Sequence, residues 1–117
     1  MSKNFTFDDF LDFIEEDSKH LVSKRKGLDS DIEKATYARV TKLMEECGEL
    51  AEAILHHFGR QRSSKDGSDA SVEHEMADVI ITICLIAQQL DINIVEALES
   101  KSKKIKKRWV TTDLHDH

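Results

Sequence analysis

The amino-acid sequence predicts an all-α protein, a four- to five-helix antiparallel bundle, and two observations carry this prediction. The 117 residues include no proline and only four glycines, so little interrupts a helix and the turns of a β-sandwich or barrel are scarce. Hydrophobic residues make up 39% of the chain and charged residues 34%, which leaves a small core. We therefore expect oligomerisation to complete the fold.

Capping signals and apolar spacing define the first two helices. Thr6 is a candidate N-cap for an amphipathic helix over residues 7–25, which ends at Gly27. A second helix begins at the box Ser30-Asp31-Ile32-Glu33, where the serine hydroxyl would cap a backbone N–H and the glutamate would reach back. Its pattern continues to Gly59, so this is the longest helix that the sequence predicts.

The segment 60–70 is rich in serine, aspartate and glycine without apolar periodicity, and it is predicted to be an exposed loop. A third helix follows over residues 71–90. Its run from Val79 to Ala87 places apolar side chains in nearly every direction around the axis, a pattern that predicts a helix buried on all sides.

The fourth helix is predicted to begin at Asn93-Ile94-Val95-Glu96, a second combination of a capping residue and a glutamate. It is predicted to end near Trp109. The sequence contains no internal repeat and no change of composition that would indicate a second domain. We therefore assign residues 1–109 to a single helical domain and predict that 110–117 form a disordered tail.

Composition also limits the class of partner and the compartment. The net charge of −6 disfavours nucleic acid and anionic membrane surfaces, and no apolar run is long enough to cross a bilayer. The first seven residues lack the apolar core of a signal peptide. Cys47 and Cys84 both lie in apolar helical patterns and are predicted to be buried free thiols. We expect a cytoplasmic protein.

Acidic residues gather on one sector of the second helix and at the start of the third. At 100° per residue the second helix presents four glutamates together: Glu45, Glu46, Glu49 and Glu52. No lysine or arginine follows any of them at the i+4 position, so we expect nothing local to compensate their charge. Glu75 and Asp78 begin a thin polar seam on the otherwise apolar third helix, so we expect them to point inward. A buried carboxylate without a partner either takes up a proton or binds a cation.

If these two helices are adjacent and antiparallel, the two seams form one cluster of two acidic pairs with i, i+3 spacing: Glu46, Glu49, Glu75 and Asp78. An all-oxygen set of this kind suits Mg²⁺ or Mn²⁺ and indicates chemistry directed at phosphate groups. A solvated acidic helix face is the competing interpretation of the glutamates on the second helix.

The two segments Leu43–Ile54 and Glu75–Ile81 together resemble the E-E-x-x-E and E-x-x-D pattern of the MazG-like members of the all-α nucleoside triphosphate pyrophosphohydrolase superfamily. The resemblance spans roughly Tyr37 to Trp109. It implies a MazG-like bundle, a homodimer or homotetramer, and a house-cleaning hydrolase that converts a nucleoside triphosphate to the monophosphate and pyrophosphate with Mg²⁺.

The resemblance also implies roles for individual residues. The metal ligands would be Glu46, Glu49, Glu75 and Asp78, and Glu45 would orient or deprotonate the attacking water or hold a further metal. A triphosphate carries roughly four negative charges and needs cations beyond Mg²⁺. The best-placed cations are Lys101, Lys104 and Arg108. Lys101 is also a candidate catalytic residue. Some members carry an asparagine where this chain has Ile105, and Lys101 also suits a snorkelling role.

Other residues carry weaker predictions. Arg60, Arg62 and Lys65 could close over the triphosphate or remain solvated loop charges. The aromatic residues that could bind a base have core packing as the default explanation: Phe10, Phe13, Tyr37, Phe58 and Trp109. His56 and His57 lie at the C-terminal end of the second helix, where an interaction with the helix dipole is a better explanation for them than metal binding.

Two other functions compete with hydrolysis. One is a non-catalytic helical dimer that uses the carboxylates for structural metal or the basic last helix for a partner. The other is a carboxylate-bridged di-metal oxygen or iron protein, which the lack of a Glu-x-x-His motif disfavours.

Overall fold

The computed structural model describes residues 4–24, 31–59 and 71–115, with side chains described over 4–21, 31–59 and 71–111. These ranges contain four α-helices and no strand, and the predicted all-α class is confirmed. The helices are α1 (Phe7–Lys24), α2 (Ile32–His57), α3 (Val72–Gln89) and α4 (Ile94–His115).

The helix starts follow the capping signals, with one correction. Thr6 caps α1 reciprocally, because its N–H donates to Asp9 Oδ2 at 3.0 Å and its Oγ1 accepts from the Asp9 N–H at 3.1 Å. The N-cap of α2 is Asp31, whose Oδ1 accepts from the Glu33 N–H at 2.9 Å, so the prediction of Ser30 as the cap was wrong by one residue. Ser30 itself lies outside the described residues.

The cap of α4 is the one that the sequence predicts, and α3 begins where the sequence predicts, directly after Ser71. The Ser71 hydroxyl accepts from the His74 N–H at 3.1 Å, and Asn93 Oδ1 accepts from the Glu96 N–H at 3.1 Å. The chain turns through Asp91, at a φ of 57°, and bends by 111° between α3 and α4. α4 therefore turns away from the helix that precedes it.

α4 also continues past Trp109, where its end was predicted, and reaches His115. No glycine or proline lies between these residues to stop it, and the Thr111 hydroxyl donates back to the Lys107 carbonyl at 3.1 Å within the helix. Residues 116–117 lie outside the described part of the chain, and the boundary of the domain stays a prediction.

The interior lies where α1 and α2 pack against α3. Its centre is formed by Ile14, Cys84 and Leu85, and four half-buried apolar side chains pack around them: Phe10, Leu21, Ile81 and Ile94. Cys84 is buried as predicted, whereas Cys47 is exposed, so the prediction of two buried thiols was wrong for that residue.

The prediction that α3 is buried on all sides was also wrong for the single chain. α1 and α2 cover two of its faces, but a third face leaves Met76, Ile80 and Ile83 exposed, with Ile80 at 53%. The radius of gyration is 18.5 Å, against about 13 Å for a compact chain of this length. The single chain therefore leaves an apolar face of α3 exposed.

Among the described residues, none of the four helices combines enough length with enough apolar character to cross a membrane by itself.

Candidate metal centre

Three carboxylates from α2 and α3 meet where the two helices pack. One oxygen each of Glu46, Glu75 and Asp78 lies within 4.8 Å of the others. Glu46 and Glu75 are only 5% and 7% exposed, because each faces the opposite helix. The expectation that the carboxylates of α3 are buried holds for Glu75, whereas Asp78 is exposed and contributes an oxygen to the cluster from a solvent-accessible position.

Two oxygens of this cluster lack the partners that buried polar atoms require. Glu46 Oε2 and Glu75 Oε2 are buried, and neither has a hydrogen-bond partner within the described ranges. A carboxylate oxygen left this way is costly unless a cation or a proton satisfies it. Because the donor set consists of carboxylate oxygens alone, it fits Mg²⁺ or Mn²⁺ better than zinc or copper.

Glu49 joins the cluster through Glu75. Burial raises the pKa of the Glu75 carboxyl above its ordinary value of 4.5, and the neighbouring charges of Glu49, Asp78 and Glu46 raise this pKa further. A hydrogen bond between Glu75 and Glu49 acts in the same direction, since it requires that the two carboxyls share a proton. Without a cation, the cluster therefore favours holding a proton on Glu75.

These contacts also define how the helices run. Glu49 is the charge that acts most strongly on Glu75, while Glu46, one turn earlier on α2, has an oxygen within 4.8 Å of oxygens of Glu75 and of Asp78, one turn later on α3. This order is that of an antiparallel pair. The register places the first turns of α3 beside the middle of α2, so two i, i+3 acidic pairs face one another.

A lysine neutralises part of the acidic sector of α2, which the sequence analysis did not expect. Lys42 Nζ lies 3.1 Å from Glu46 Oε1 and 3.9 Å from Glu45 Oε2. The expectation that nothing local compensates these glutamates was wrong, because Lys42 precedes Glu46 by one turn and pairs with it. Glu45 and Glu52 are exposed, outside the buried part of the cluster.

Arg39 is a second cation that the sequence analysis missed. It is buried on α2 although it is charged, and it lies two turns before Glu46 on the same face of the helix. Its seven-residue spacing from Glu46 is the signal that could have identified it. The interface between α2 and α3 thus combines buried acidic and basic groups.

The predicted substrate-binding cations lie on a different element. Lys101, Lys104 and Arg108 are all exposed on α4, which turns away from α3. No cation of α4 is among the groups that shift the pKa of Glu75, which all belong to α2 and α3. A single chain therefore does not assemble these three cations around the carboxylate cluster. Arg60, Arg62 and Lys65 lie outside the described residues.

An apolar cavity of about 620 Å³ opens between the start of α1 and α3. Its aromatic wall contains Phe10 and Phe13, and its α3 wall includes Ala77, the residue before Asp78. The other aromatic candidates, Tyr37, Phe58 and Trp109, are exposed away from this cavity. His57 stacks edge-on against Phe58, with ring centroids 5.1 Å apart.

Comparison with known proteins agrees with this architecture. The family described as "MazG nucleotide pyrophosphohydrolase domain" matches residues 35–111, which contain all the carboxylates of the cluster. Over 76 residues the chain is 34% identical to uncharacterized protein YpjD of Bacillus subtilis, covering 62% of this chain and 68% of the relative.

Over 79 residues the chain is 33% identical to uncharacterized protein YvdC, also of Bacillus subtilis, covering 62% of this chain and 74% of the relative. No solved structure matches significantly. With the family match extending over more than half of the sequence, this chain belongs to the MazG nucleotide pyrophosphohydrolase domain family.

Proposed function

We propose that this protein is a Mg²⁺-dependent nucleoside triphosphate pyrophosphohydrolase, for which Mn²⁺ can replace Mg²⁺. In the reaction, water adds across the anhydride between the α and β phosphorus atoms and releases a nucleoside monophosphate and pyrophosphate. The observation that supports this proposal most is the cluster of Glu46, Glu75 and Asp78, in which two buried oxygens have no hydrogen-bond partner among the described residues. We place the function in the removal of unwanted nucleotides.

In this proposal Glu46, Glu49, Glu75 and Asp78 hold the divalent metal. A bound Mg²⁺ would neutralise phosphate charge and lower the pKa of a bound water. Glu45 is exposed beside this cluster, where its carboxylate can orient or deprotonate the attacking water or hold a further cation.

The cavity between α1 and α3 is the part of the protein that best suits the base. Phe10 and Phe13 offer aromatic rings for stacking, and Ala77, the residue before Asp78 in the sequence, belongs to the α3 wall of the cavity. Among the described residues that line it, Thr6 alone has a polar side chain, so we expect weak discrimination between the hydrogen-bonding edges of different bases.

Lys101, Lys104 and Arg108 remain the proposed contacts for the triphosphate. Because α4 turns away from the carboxylates of its own chain, these cations require a neighbouring copy to reach a cluster. We therefore propose a homodimer or homotetramer. The exposed apolar side chains on α3 and α4 support this assembly, among them Ile80, Leu98 and Val110. Light scattering after size-exclusion chromatography measures the mass directly, and a monomer at micromolar concentration would contradict the assembly.

The test of the proposed reaction is a product assay with matched variants. The protein is incubated with Mg²⁺ and a panel of ribo- and deoxyribonucleoside triphosphates, and the monophosphate and pyrophosphate are quantified by chromatography. We expect Glu75→Gln to lose at least about 100-fold in rate, because it removes a buried carboxylate from the cluster. Glu73→Gln changes an exposed glutamate in the same helical turn and should leave the rate unchanged.

The proposal fails if no triphosphate in the panel is hydrolysed to monophosphate and pyrophosphate, or if Glu75→Gln is as active as the wild type. Metal-dependent stabilisation without turnover would instead favour the non-catalytic helical dimer, which uses the carboxylates for structural metal or α4 for a partner.

A further inference from the structure

Lys42 links the solvent to the buried part of the carboxylate cluster. Its side chain is 58% exposed, whereas the Glu46 side chain that it contacts at 3.1 Å is only 6% exposed. The lysine therefore approaches Glu46 from the open side of the α2–α3 interface. Glu75 and Asp78 belong to the opposite helix, so the Glu46 carboxylate has a cation from its own helix at 3.1 Å and carboxyl oxygens from α3 within 4.8 Å.

The two oxygens of Glu46 have different surroundings. Oε1 pairs with Lys42, and Oε2 is buried without a hydrogen-bond partner among the described residues. A charge-assisted hydrogen bond to one oxygen fixes the plane of the carboxylate, since rotation about the last side-chain bond would break it. The other oxygen is then held in the buried position, available to a cation.

We infer that Lys42 is a positioning residue, which holds Glu46 Oε1 so that Glu46 Oε2 is presented to a divalent metal together with Glu75 and Asp78. The inference rests on the proposed metal centre and adds a role for a residue outside the ligand set. Groups that hydrogen-bond a ligating carboxylate orient it, and losing them typically weakens metal binding by about 10- to 100-fold.

The positive charge of Lys42 acts on metal affinity in the opposite direction to its positioning of Glu46. The two effects therefore predict opposite changes in affinity when Lys42 is neutralised. Lys42 is a positive charge close to the cluster, so its removal would strengthen the binding of any cation if charge were its whole contribution. The hydrogen bond from Lys42 to Glu46 raises the pKa of the Lys42 ammonium above 10.5, so this charge is present throughout the neutral range. Positioning predicts weaker metal binding in a neutral variant, whereas charge alone predicts tighter binding.

The experiment measures the dissociation constant of Mn²⁺ by electron paramagnetic resonance, without nucleotide, for the wild type and three variants. Lys42→Met keeps the length of the side chain but removes the donor, and we expect the constant to rise by about tenfold or more. Lys42→Arg restores a charged donor and should recover much of the affinity.

The matched control is Lys103→Met. Lys103 pairs with Glu99 at 3.6 Å on α4, also with i, i+4 spacing, and the Mn²⁺ dissociation constant of this variant should equal that of the wild type. Lys42→Met leaves the buried Glu46 carboxylate without its cation, so we expect a lower metal-free Tm, and all dissociation constants are measured at a temperature at which every variant is folded. If Lys42→Met does not fold, Lys42→Gln replaces it with the same expectation.

An unchanged or lower dissociation constant in the neutral variant, with Mn²⁺ bound by the wild type, would overturn the role of Lys42 and leave the metal centre intact. A wild type that binds no Mn²⁺ at millimolar concentration would overturn the proposed metal centre and this inference with it.

Discussion

Replacing Glu46 by glutamine removes one of three clustered carboxylates while keeping the size of the side chain. The variant loses the ion pair with Lys42, whose half-exposed ammonium can return to water, so we expect little change in the metal-free Tm. The loss of one anionic ligand should weaken metal binding by about 100-fold or more. The Tm of Glu46→Gln should therefore differ from that of the wild type when metal is present and match it when metal is absent.

The size of this effect follows from mass action. At a Mn²⁺ concentration of about 100 times the dissociation constant, binding stabilises the folded wild type by about 2.7 kcal/mol, whereas a site weakened about 100-fold contributes only about 0.4 kcal/mol. For a domain of this size the wild-type Tm should then rise by roughly 8–16 °C and that of Glu46→Gln by roughly 1–2 °C.

Differential scanning fluorimetry at increasing Mn²⁺ measures both shifts. Glu52→Gln is the matched control, since it neutralises an exposed glutamate of the same helix, and its Tm should respond like that of the wild type. Equal metal-dependent shifts in Glu46→Gln and the wild type would refute the assignment of Glu46 to the metal centre.

Three further predictions concern the pH dependence, the core and the end of α2. The pKa of Glu75 is raised in the folded state, so the folded protein loses stability as this carboxyl ionises. The free energy of unfolding of the metal-free wild type should therefore fall relative to that of Glu75→Gln as the pH rises from about 4.5, as measured by urea unfolding at several pH values. Leu85→Ala should lower the free energy of unfolding by about 2–4 kcal/mol, because Leu85 lies in the buried centre, and a chemical denaturation midpoint equal to that of the wild type would contradict this packing. Gly59→Ala should cost about 1 kcal/mol in the same measurement, since its φ of 70° disfavours a Cβ although no atom lies within 4 Å of it.

The all-α fold could be predicted from local signals because they are strong and consistent in this sequence. Thr6, Ser71 and Asn93 cap helices through their own side chains, so the starts of α1, α3 and α4 follow from the sequence within one turn. The end of α4 could not be predicted in this way, because an amphipathic pattern that fades does not stop a helix when no glycine or proline follows.

The carboxylate cluster was predictable because helical periodicity on α2 and α3 fixes which residues share a face. What periodicity could not give was the depth of each group, since Glu75 is buried and Asp78, three residues later, is exposed. Burial depends on the partner helix and its register, which no single helix encodes.

The cations were harder to predict for a related reason. Lys42 lies one turn before Glu46, and only its contact distance separates an ion pair from a lysine that points to solvent. The exposed third face of α3 has the same origin, since hydrophobicity predicts that a surface is covered but does not say whether its own chain covers it.

Phosphorus NMR of the reaction mixture tests the central claim most directly, because pyrophosphate and orthophosphate give separate signals. With a nucleoside triphosphate and Mg²⁺, we predict that pyrophosphate and the nucleoside monophosphate appear at equal rates and that chelation of the metal stops both. Release of orthophosphate and a nucleoside diphosphate, or an unchanged triphosphate spectrum across the nucleotide panel, would contradict the account.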